Sequence, residues 1–433
     1  MKKFNTSPVS GTEEFLPGIQ RIFDDYLEKI RQVYRKNAYL SIETPMIERT
    51  EVLLKKAGGD TEKQIYKLVK TSEDPENSSE ALRFDHTVPL ARYVVEHEND
   101  LHFPLKVAQI GPSFRGERAQ RGRFREFIQA DIDILGRNSL DEAYDFDIIS
   151  TLNSALVSLD SEKSLGVFVR LSSRRLWNTI FASLNISDRA PEILSIIDHS
   201  EKVPEEKTIS AFTSLNLPEG TTDFLLKLLS AHGPVASASD SLRTLLASLP
   251  EPSALDSLLN LAASLEQSGV ATEVDLRVVR GLDYYTGTVF EFGLKNYPSV
   301  GSVAGGGRYE NLTSYFSDQK FEGVGGSIGL SRLFFALREL NLLPVSTPPV
   351  DYVFIPITEE DRVFALSLAQ KTREKGLVAD TLLMTKPLGD RLSYAAKIAK
   401  YAVIIGENER NGGEIVKKDL ESGEKSPFSV DSL

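Results

Sequence analysis

The chain of 433 residues contains no cysteine. This absence excludes disulfide bonds, thiolate nucleophiles and zinc sites with cysteine ligands, and it is compatible with a reducing compartment. The chain also lacks an apolar run long enough to cross a bilayer, and its first residues carry two lysines without the apolar segment of a signal peptide. We therefore expect a cytoplasmic protein.

Positive charge is scarce as well. The 50 Lys and Arg residues stand against 62 Asp and Glu residues, which gives a net charge of −12, so any nucleic-acid binding must use a local basic surface. No two of the 5 histidines have the spacing of metal ligands, and we expect no metal held by the protein itself. A P-loop sequence is absent, so a bound nucleotide needs another scaffold.

The order of apolar residues predicts a sheet domain with a helical insertion. Residues 18–37 place apolar side chains at three- and four-residue steps, which is typical of a helix. From there to about residue 136 the apolar residues tend to alternate between polar turns, which indicates antiparallel sheet. Helical periodicity returns at 139–160 and roughly 174–267, and strand-like runs resume at 272–292 and 321–329. The segment 174–267 is the predicted insertion.

A second domain is predicted after a proline-rich linker. Residues 341–350 contain three prolines and favour an extended spacer. Short apolar runs at 351–357, 377–383 and 401–406 then alternate with helical segments, which predicts a small α/β domain with a largely parallel sheet. The predicted domains are therefore residues 1–340 and 351–433, joined by 341–350.

The segment FRGERAQRGRFREFIQADIDILG at 114–136 has an unusual polar face. If 124–135 is a strand, Ile128, Ala130, Ile132 and Ile134 share one face, and the other carries Arg125, Phe127, Gln129, Asp131 and Asp133. A solvated sheet face is the alternative, but an aromatic ring beside Arg, Gln and Asp favours a ligand platform. Arginines on the preceding strand and loop predict a phosphate guest: Arg115, Arg118, Arg121 and Arg123.

Two further segments carry polar or glycine-rich patterns. RGLDYYTGTVFEF at 280–292 is strand-like, yet it contains Arg280 and the adjacent pair Tyr284 and Tyr285. Adjacent strand residues point to opposite faces, so the pattern leaves open which tyrosine faces a site and which packs in the core. Glycines at 323, 325 and 329 do not have the spacing or the βαβ context of a dinucleotide fingerprint.

These segments resemble the class II aminoacyl-tRNA synthetases. FRGERAQRGRFREF resembles motif 2, GVGGSIGLSRLFFAL resembles motif 3 with Arg332 as its arginine, and IETPMIE around Pro45 is similar to motif 1. Within that class, RGLDYYTGTVFEF and LRFDHTVPLARYV at 82–94 resemble the signature segments of histidyl-tRNA synthetases, as does the opening GTEEFLP at 11–17. Residues 404–424 look like part of that family's anticodon-binding domain.

The resemblance implies an α+β fold with an antiparallel six-stranded catalytic sheet flanked by helices, the helical insertion and a C-terminal α/β anticodon-binding domain. It implies an ATP-dependent ligase that joins L-histidine to the 3′ end of tRNA(His), with Mg²⁺ accompanying ATP and a homodimer formed through motif 1. A tRNA contact would use a cluster such as Lys386, Arg391, Lys397 and Lys400. The alternative is a catalytically inactive paralogue, either a histidine-sensing regulatory subunit or an RNA-binding module.

The resemblance also implies the site residues. The histidine pocket would consist of Asp85, His86, Thr87, Arg115, Gln129, Asp133, Arg280, Tyr284 and Tyr285. ATP would contact Arg115, Glu117, Arg123, Phe127 and Arg332, and the catalytic cations would be Arg280 and Arg115. Asp85 and Thr87 would receive the α-ammonium group of histidine, and Gln129 would orient the amino acid. Asp133 would accept a hydrogen bond from an N–H group of the imidazole ring.

Four positions depart from the commoner pattern of that family. Phe84 replaces a usual proline, His86 a frequent leucine, Gly116 a histidine, and Ser331 an acid before the motif 3 arginine. None of these changes removes a group that does chemistry, but Ser331 replaces the acid that would support Arg332 in the commoner pattern, and His86 adds a titratable group near the substrate site.

Overall fold

A computed structural model describes residues 4–54, 62–71, 78–160, 162, 164–248, 252–279, 285–310, 313–314, 316–344 and 348–433. The chain forms two compact units, each with its own core. The N-terminal unit contains the residues up to Glu14 and Tyr26–Leu342, and the C-terminal unit contains Phe15–Asp25 and Leu343–Leu433. No helix among the described residues is both long and apolar enough to span a bilayer.

The N-terminal unit is built on a nine-stranded sheet. Its strands and those of a small three-stranded sheet are β1 (Leu40–Ser41), β2 (Ile47–Arg49), β3 (Lys67–Leu68), β4 (Glu80–Leu82), β5 (Leu105–Phe114), β6 (Glu126–Arg137), β7 (Val167–Ser173), β8 (Gly233–Pro234), β9 (Thr272–Val274), β10 (Thr288–Leu294), β11 (Ala304–Tyr309) and β12 (Phe321–Gly329). The large sheet has the order β1-β5-β6-β12-β11-β10-β7-β9-β8. Its six central strands, β5-β6-β12-β11-β10-β7, pair with one another in antiparallel orientation throughout.

Helices flank this sheet and fill the predicted insertion. They are α1 (Pro17–Lys36), which contributes to both units, α2 (Thr50–Leu54), α3 (Thr87–Glu96), α4 (Ala143–Leu159), α5 (Arg174–Ser183), α6 (Ala190–Ser200), α7 (Glu205–Ser214), α8 (Thr221–Ser230), α9 (Val235–Leu245), α10 (Ser253–Gln267) and α11 (Leu330–Glu339). The six helices α5 to α10 occupy most of the stretch 174–267, and the two-residue strand β8 is the one strand among the described residues there.

The alternation on β6 is the central feature of the core. Ala130, Ile132 and Ile134 are fully buried on one face of the strand, as the period of two predicts. The sheet also packs against α4 through β12 and against α11 through β6. The polar face is buried as well, since Asp131 and Asp133 are each only 4% exposed. Buried carboxylates require partners, so this face is not the solvated sheet face that was the alternative.

Two sequence expectations are wrong in this unit. The stretch expected to be sheet between 37 and 136 contains α3, in which Leu90, Ala91 and Val94 are fully buried at helical spacing. The strand-like run at 272–292 is divided: β9 ends at Val274 and β10 begins at Thr288. Tyr285 therefore precedes the strand, and the period of two does not apply to it.

The C-terminal unit is a small α/β domain. It contains β13 (Val350–Pro356), α12 (Arg362–Glu374), β14 (Ala379–Thr381), α13 (Leu388–Ile398), β15 (Ala399–Ile405), α14 (Glu407–Arg410), β16 (Val416–Asp419) and β17 (Lys425–Pro427). β14, β13 and β15 are parallel, whereas β16 and β17 add an antiparallel hairpin that the apolar pattern did not predict.

Both faces of β13 are buried, which explains its continuous apolar run. Tyr352 and Phe354 belong to one core cluster, together with Ala365 of α12. Val353 and Ile355 belong to a second cluster with Ala395 of α13. The helices α12 and α13 thus cover opposite faces of the sheet, as expected for strand–helix–strand repetition.

Candidate active site

The β5–β6 hairpin extends beyond its strands and positions the arginine-rich loop. The backbone N–H of Arg115 donates to the carbonyl of Arg125 at 2.9 Å. Arg125, predicted on the platform, instead fixes the loop: its Nε donates to the Glu117 carbonyl at 3.1 Å, and its backbone N–H donates to Gly11 at 2.7 Å. A short bridge between Gln120 and Arg123 closes the loop.

Two adjoining cavities lie on the polar face of β6. The larger has a volume of about 370 Å³ and is lined by Arg115, Glu117, Gly122, Arg123, Phe124, Phe127, Gln129, Ser302, Val303, Ala304, Gly305, Ser327, Gly329 and Arg332. The smaller has a volume of about 150 Å³ and is lined by Asp85, Thr87, Arg115, Gln129, Asp131, Asp133, Tyr285, Gly305, Tyr309, Gly325, Gly326 and Ser327. Arg115, Gln129, Gly305 and Ser327 line both, so ligands in the two cavities would be neighbours.

The two linings differ in chemistry. The larger cavity combines the guanidinium groups of Arg115, Arg123 and Arg332 with an aromatic ring, Phe127, which suits a nucleotide. The smaller cavity contains three carboxyl groups, those of Asp85, Asp131 and Asp133, which suit a ligand with cationic or N–H donor groups.

The structure brings most of the predicted site residues together. All five candidates for ATP binding line the larger cavity. Of the candidates for the histidine pocket, Asp85, Thr87, Arg115, Gln129, Asp133 and Tyr285 line the smaller one. His86 is not among the lining residues; it is fully buried behind the cavity, with Nδ1 3.1 Å from Asp131 Oδ2. Arg280 and Tyr284 lie outside the described residues.

The guanidinium group of Arg115 contacts two aromatic rings. Its guanidinium carbon lies 4.4 Å from the ring centre of Phe84 and 5.0 Å from that of Phe127. Its Nε also donates to the carbonyl of Phe84 at 3.4 Å. Contact with two rings, together with this hydrogen bond, restricts the rotation of the planar group. This arrangement holds a fixed positive charge at the junction of the two cavities.

Asp133 is the most perturbed carboxyl group of the smaller cavity. Burial raises its pKa from 3.8 to about 8, and the negative charge of Asp131 contributes to the rise. The Tyr309 hydroxyl donates to Asp133 Oδ1 at 2.8 Å and opposes part of this shift. A carboxyl group with such a pKa is ready to ionise when a ligand supplies a donor.

Glycines on the neighbouring strands make space for these side chains. A Cβ atom on Gly325 would lie 2.0 Å from Asp133 Oδ1, and one on Gly307 would lie 2.9 Å from Tyr285 Cδ1. The glycine-rich segments thus shape the smaller cavity, and no dinucleotide fingerprint is needed to explain them.

Residues 11–333 match the family model described as histidyl-tRNA synthetase. The chain belongs to the histidyl-tRNA synthetase family. A histidine–tRNA ligase of Clostridium tetani is 36% identical over 440 residues, which cover 100% of this chain and 98% of that protein. One of Stenotrophomonas maltophilia is 37% identical, with 100% and 97% covered. The crystal structure of histidyl-tRNA synthetase from Nostoc sp. PCC 7120 matches with a TM-score of 0.89 and 34% identity, over 99% of this chain and 98% of that one.

The predicted family and fold class are thereby confirmed. The six antiparallel strands at the centre of the large sheet are the predicted class II arrangement, with one parallel strand at one edge and β9 and β8 at the other.

The structure gives a physical reason for three departures from the commoner histidyl-tRNA synthetase pattern. Phe84 supplies one of the rings that hold Arg115. The Ser331 hydroxyl accepts from the backbone N–H of Ile128 at 2.8 Å, so it anchors the start of α11 to β6. A Cβ on Gly116 would lie 3.1 Å from the Gln64 carbonyl, so a side chain here needs the backbone at Gln64 to shift.

Sequence reasoning missed Tyr309 and Ser327 and gave Asp131 no specific role. Tyr309 and Ser327 line the smaller cavity from β11 and β12, and Asp131 lies between His86 and Ser327. The glycine-rich context of both segments was the available signal, because strands with so little side-chain volume leave room for a ligand.

Proposed function

We propose that the chain activates L-histidine with ATP and transfers the histidyl group to the 3′ end of tRNA(His). The proposal rests on the location of Arg115, which lines both cavities. A histidine carboxylate oxygen attacks the α-phosphorus of ATP, the bond to the bridging oxygen breaks, and pyrophosphate leaves. A ribose hydroxyl of the tRNA then attacks the acyl carbon, loses its proton, and AMP leaves. Positioning and a fixed cation suffice for the first step, because no covalent enzyme intermediate is required.

The larger cavity accommodates ATP in this proposal. Phe127 stacks on one face of the adenine and Arg332 on the other, while Arg115 binds the α-phosphate. Mg²⁺ arrives with ATP as part of the substrate and is coordinated mostly by phosphate oxygens. Glu117 is the one carboxylate among the residues that line this cavity, which fits a metal without a dedicated protein site.

The smaller cavity accommodates histidine. Asp85 Oδ1 accepts from the backbone N–H of Val88 at 3.0 Å, and this hydrogen bond fixes the carboxylate beside Thr87 at the start of α3. Asp85 and Thr87 receive the α-ammonium group there. Asp133 accepts a hydrogen bond from an imidazole N–H, and Tyr285 lines the same space. Arg280, predicted to contact the α-phosphate, remains a candidate from the sequence alone.

The decisive experiment is histidine-dependent exchange of pyrophosphate into ATP. We expect exchange that requires histidine and Mg²⁺, followed by charging when tRNA(His) is added. A histidine-sensing subunit would bind histidine without exchange, and an RNA-binding module would show neither binding nor exchange. Either result would overturn the proposed reaction.

The pH dependence of histidine binding follows from Asp133. Because its pKa is about 8 in the free protein, the carboxyl group is mostly protonated at pH 7 and accepts from the imidazole N–H only after ionising. We expect the KM for histidine to fall roughly fivefold between pH 7 and 8, since the ionised fraction rises by about that factor. The KM for ATP should change less, because Asp133 lines only the smaller cavity.

The free energy of unfolding should fall over the same rise in pH that strengthens histidine binding. A raised pKa in the folded state stabilises the protein fully below 3.8, and this contribution is lost as the pH rises to about 8. Asp133→Asn should therefore make the melting temperature depend less on pH between pH 6 and 8. The same variant should also make the KM for histidine depend less on pH. An unchanged histidine profile in this variant would assign the titration to another group.

We also propose that the C-terminal unit binds the anticodon region of the tRNA. A cavity of about 130 Å³ lies at the ends of β13 and β14, and its lining includes Arg362, Lys386 and Arg391. Residues 351–433 carry 12 basic and 14 acidic side chains, so binding to phosphates depends on such local cations.

The double variant Arg362→Ala/Lys386→Ala is expected to raise the KM for tRNA about tenfold and to leave pyrophosphate exchange within twofold. Point variants are preferable to truncation because Phe15–Asp25 belongs to the same compact unit. Lys371→Ala is the matched control, since this exposed lysine of α12 is not among the residues lining the cavity. Equal losses of exchange and charging would contradict an RNA-specific role.

We further propose that the protein is a cytoplasmic homodimer formed through the segment that resembles motif 1. Leu40, Met46 and Ile47 in and beside this segment are 64%, 42% and 52% exposed, which leaves apolar surface for a partner copy. Light scattering should give twice the mass of 48.0 kDa, and Met46→Lys/Ile47→Lys should shift it toward the monomer. A monomeric wild type would contradict this proposal.

A further inference from the structure

A chain of hydrogen bonds leads from the start of α3 to the wall shared by the two cavities. His86 Nδ1 lies 3.1 Å from Asp131 Oδ2, and the Ser327 hydroxyl bonds to the other carboxylate oxygen, Oδ1. The Gln129 side-chain nitrogen, Nε2, lies 3.0 Å from Ser327 Oγ. Ser327 on β12 pairs directly with Asp131 on β6, so the sheet register itself creates this contact.

The direction of each hydrogen bond follows from the number of available protons. A carboxylate only accepts, so both His86 Nδ1 and the Ser327 hydroxyl must donate to Asp131. The serine has a single proton, and once it is committed to Asp131 the Ser327 oxygen can only accept from Gln129. Gln129 must therefore turn its NH₂ group toward Ser327.

The carbonyl oxygen of Gln129 is left as a free acceptor. Oε1 is buried and has no hydrogen-bond partner among the described residues, and Gln129 lines both cavities. An unpaired buried acceptor is costly unless a ligand satisfies it. Asp85 and Thr87 line the same smaller cavity and are the proposed partners of the α-ammonium group.

We infer that Asp131 and Ser327, backed by His86, are positioning residues that hold the Gln129 carbonyl oxygen toward the α-ammonium group of the amino acid. We call the chain of hydrogen bonds from His86 through Asp131 and Ser327 to Gln129 the relay. Without the relay, the side-chain amide of Gln129 can rotate and present its NH₂ group to the ammonium group, although both groups are donors. The relay thus favours substrates that carry an α-ammonium group over analogues that lack it. This inference rests on the proposed function, because it identifies the bound group as part of histidine.

Ser327→Ala tests the relay without changing any charge. Binding is measured by calorimetry for histidine, for histidinol, which retains the ammonium group, and for 3-(imidazol-4-yl)propanoate, which lacks it. We expect the variant to weaken histidine and histidinol about tenfold and to leave the propanoate within about twofold. Ser327→Thr retains the hydroxyl group and should restore most of the loss.

Asp131→Asn provides a second variant. Its amide can donate to Ser327, which frees the serine hydroxyl to donate to Gln129 Oε1 and reverses the relay. Loss of the Asp131 charge also lowers the pKa of Asp133, which affects all three ligands through their imidazole, so we expect the two ammonium ligands to lose affinity relative to the propanoate. An unchanged histidinol affinity in Ser327→Ala, or an equal loss for the propanoate, would overturn the relay. Absence of exchange in a wild type that still binds histidinol would instead overturn the proposed reaction.

Discussion

Replacing Arg115 with alanine is expected to slow formation of the histidyl-adenylate about a hundredfold, or roughly 3 kcal/mol of transition-state stabilisation. The reason is its position: the guanidinium contacts the rings of Phe84 and Phe127, and Arg115 lines both cavities. Negative charge on the oxygens around the α-phosphorus is redistributed as the carboxylate attacks, and a preorganised cation stabilises that arrangement without reorganising. Single-turnover formation of the adenylate measures this step directly.

Conservative variants separate charge from geometry. Arg115→Lys should recover only part of the rate, because an ammonium group cannot reproduce the planar fork that contacts two rings. Phe84→Leu retains an apolar side chain but removes one ring. We expect the rate of adenylate formation to fall a few-fold, because the guanidinium group is then less fixed. Transfer of histidine from preformed adenylate to tRNA should be affected less than adenylate formation.

Arg118→Ala is the matched control for these variants. Arg118 lies in the same loop, is exposed, and is not among the residues that line either cavity. Its loss should change the rate by no more than about twofold. If Arg115→Ala and Arg118→Ala behave alike, the fixed cation at the junction of the cavities is not the catalytic charge.

The polar face of β6 could be predicted because a regular strand obeys a period of two. Phe127, Gln129, Asp131 and Asp133 all lie on the cavity side, and Ala130 is fully buried on the other. The same rule failed for the adjacent tyrosines, since β10 begins at Thr288, three residues after Tyr285. Strand boundaries depend on pairing with neighbours, which one segment does not reveal.

The second layer of the site depends on contacts between strands far apart in sequence. The β6–β12 register places Ser327 opposite Asp131 and Gly325 opposite Asp133. Nothing in either segment alone specifies that register. A shift of the pairing by two residues would leave every side chain on the same face of the sheet. The location of His86 behind the cavity likewise follows from the start of α3, a helix within a stretch predicted as sheet. The lining residues on β6 were therefore predictable from pattern and resemblance, whereas Tyr309, Ser327 and the contacts behind the cavity were not.

Asp133→Ala is expected to raise the KM for histidine between about 5- and 150-fold, because an imidazole N–H left unpaired in a buried site costs roughly 1–3 kcal/mol. Asp133 is 4% exposed, so water has little access to replace the lost acceptor. The KM for ATP should change much less, since Asp133 is not among the residues lining the larger cavity. The discrimination against histidine isosteres without ring nitrogens should also decrease, because the site no longer requires the hydrogen bond.

The opposite strand provides an independent way to perturb the same carboxyl group. In Gly325→Ala the new Cβ would lie 2.0 Å from Asp133 Oδ1, so the side chain of Asp133 must move. Gly329→Ala on the same strand is the comparison, because its Cβ would lie 3.8 Å from its nearest neighbour and Gly329 lines the larger cavity but not the smaller one, so any effect should fall on the KM for ATP. We expect Gly325→Ala to reproduce the selective loss of histidine affinity and Gly329→Ala to retain it, as measured by histidine-dependent exchange over a range of histidine concentrations. If Asp133→Ala instead weakens ATP binding and leaves the KM for histidine unchanged, the smaller cavity is not the histidine pocket.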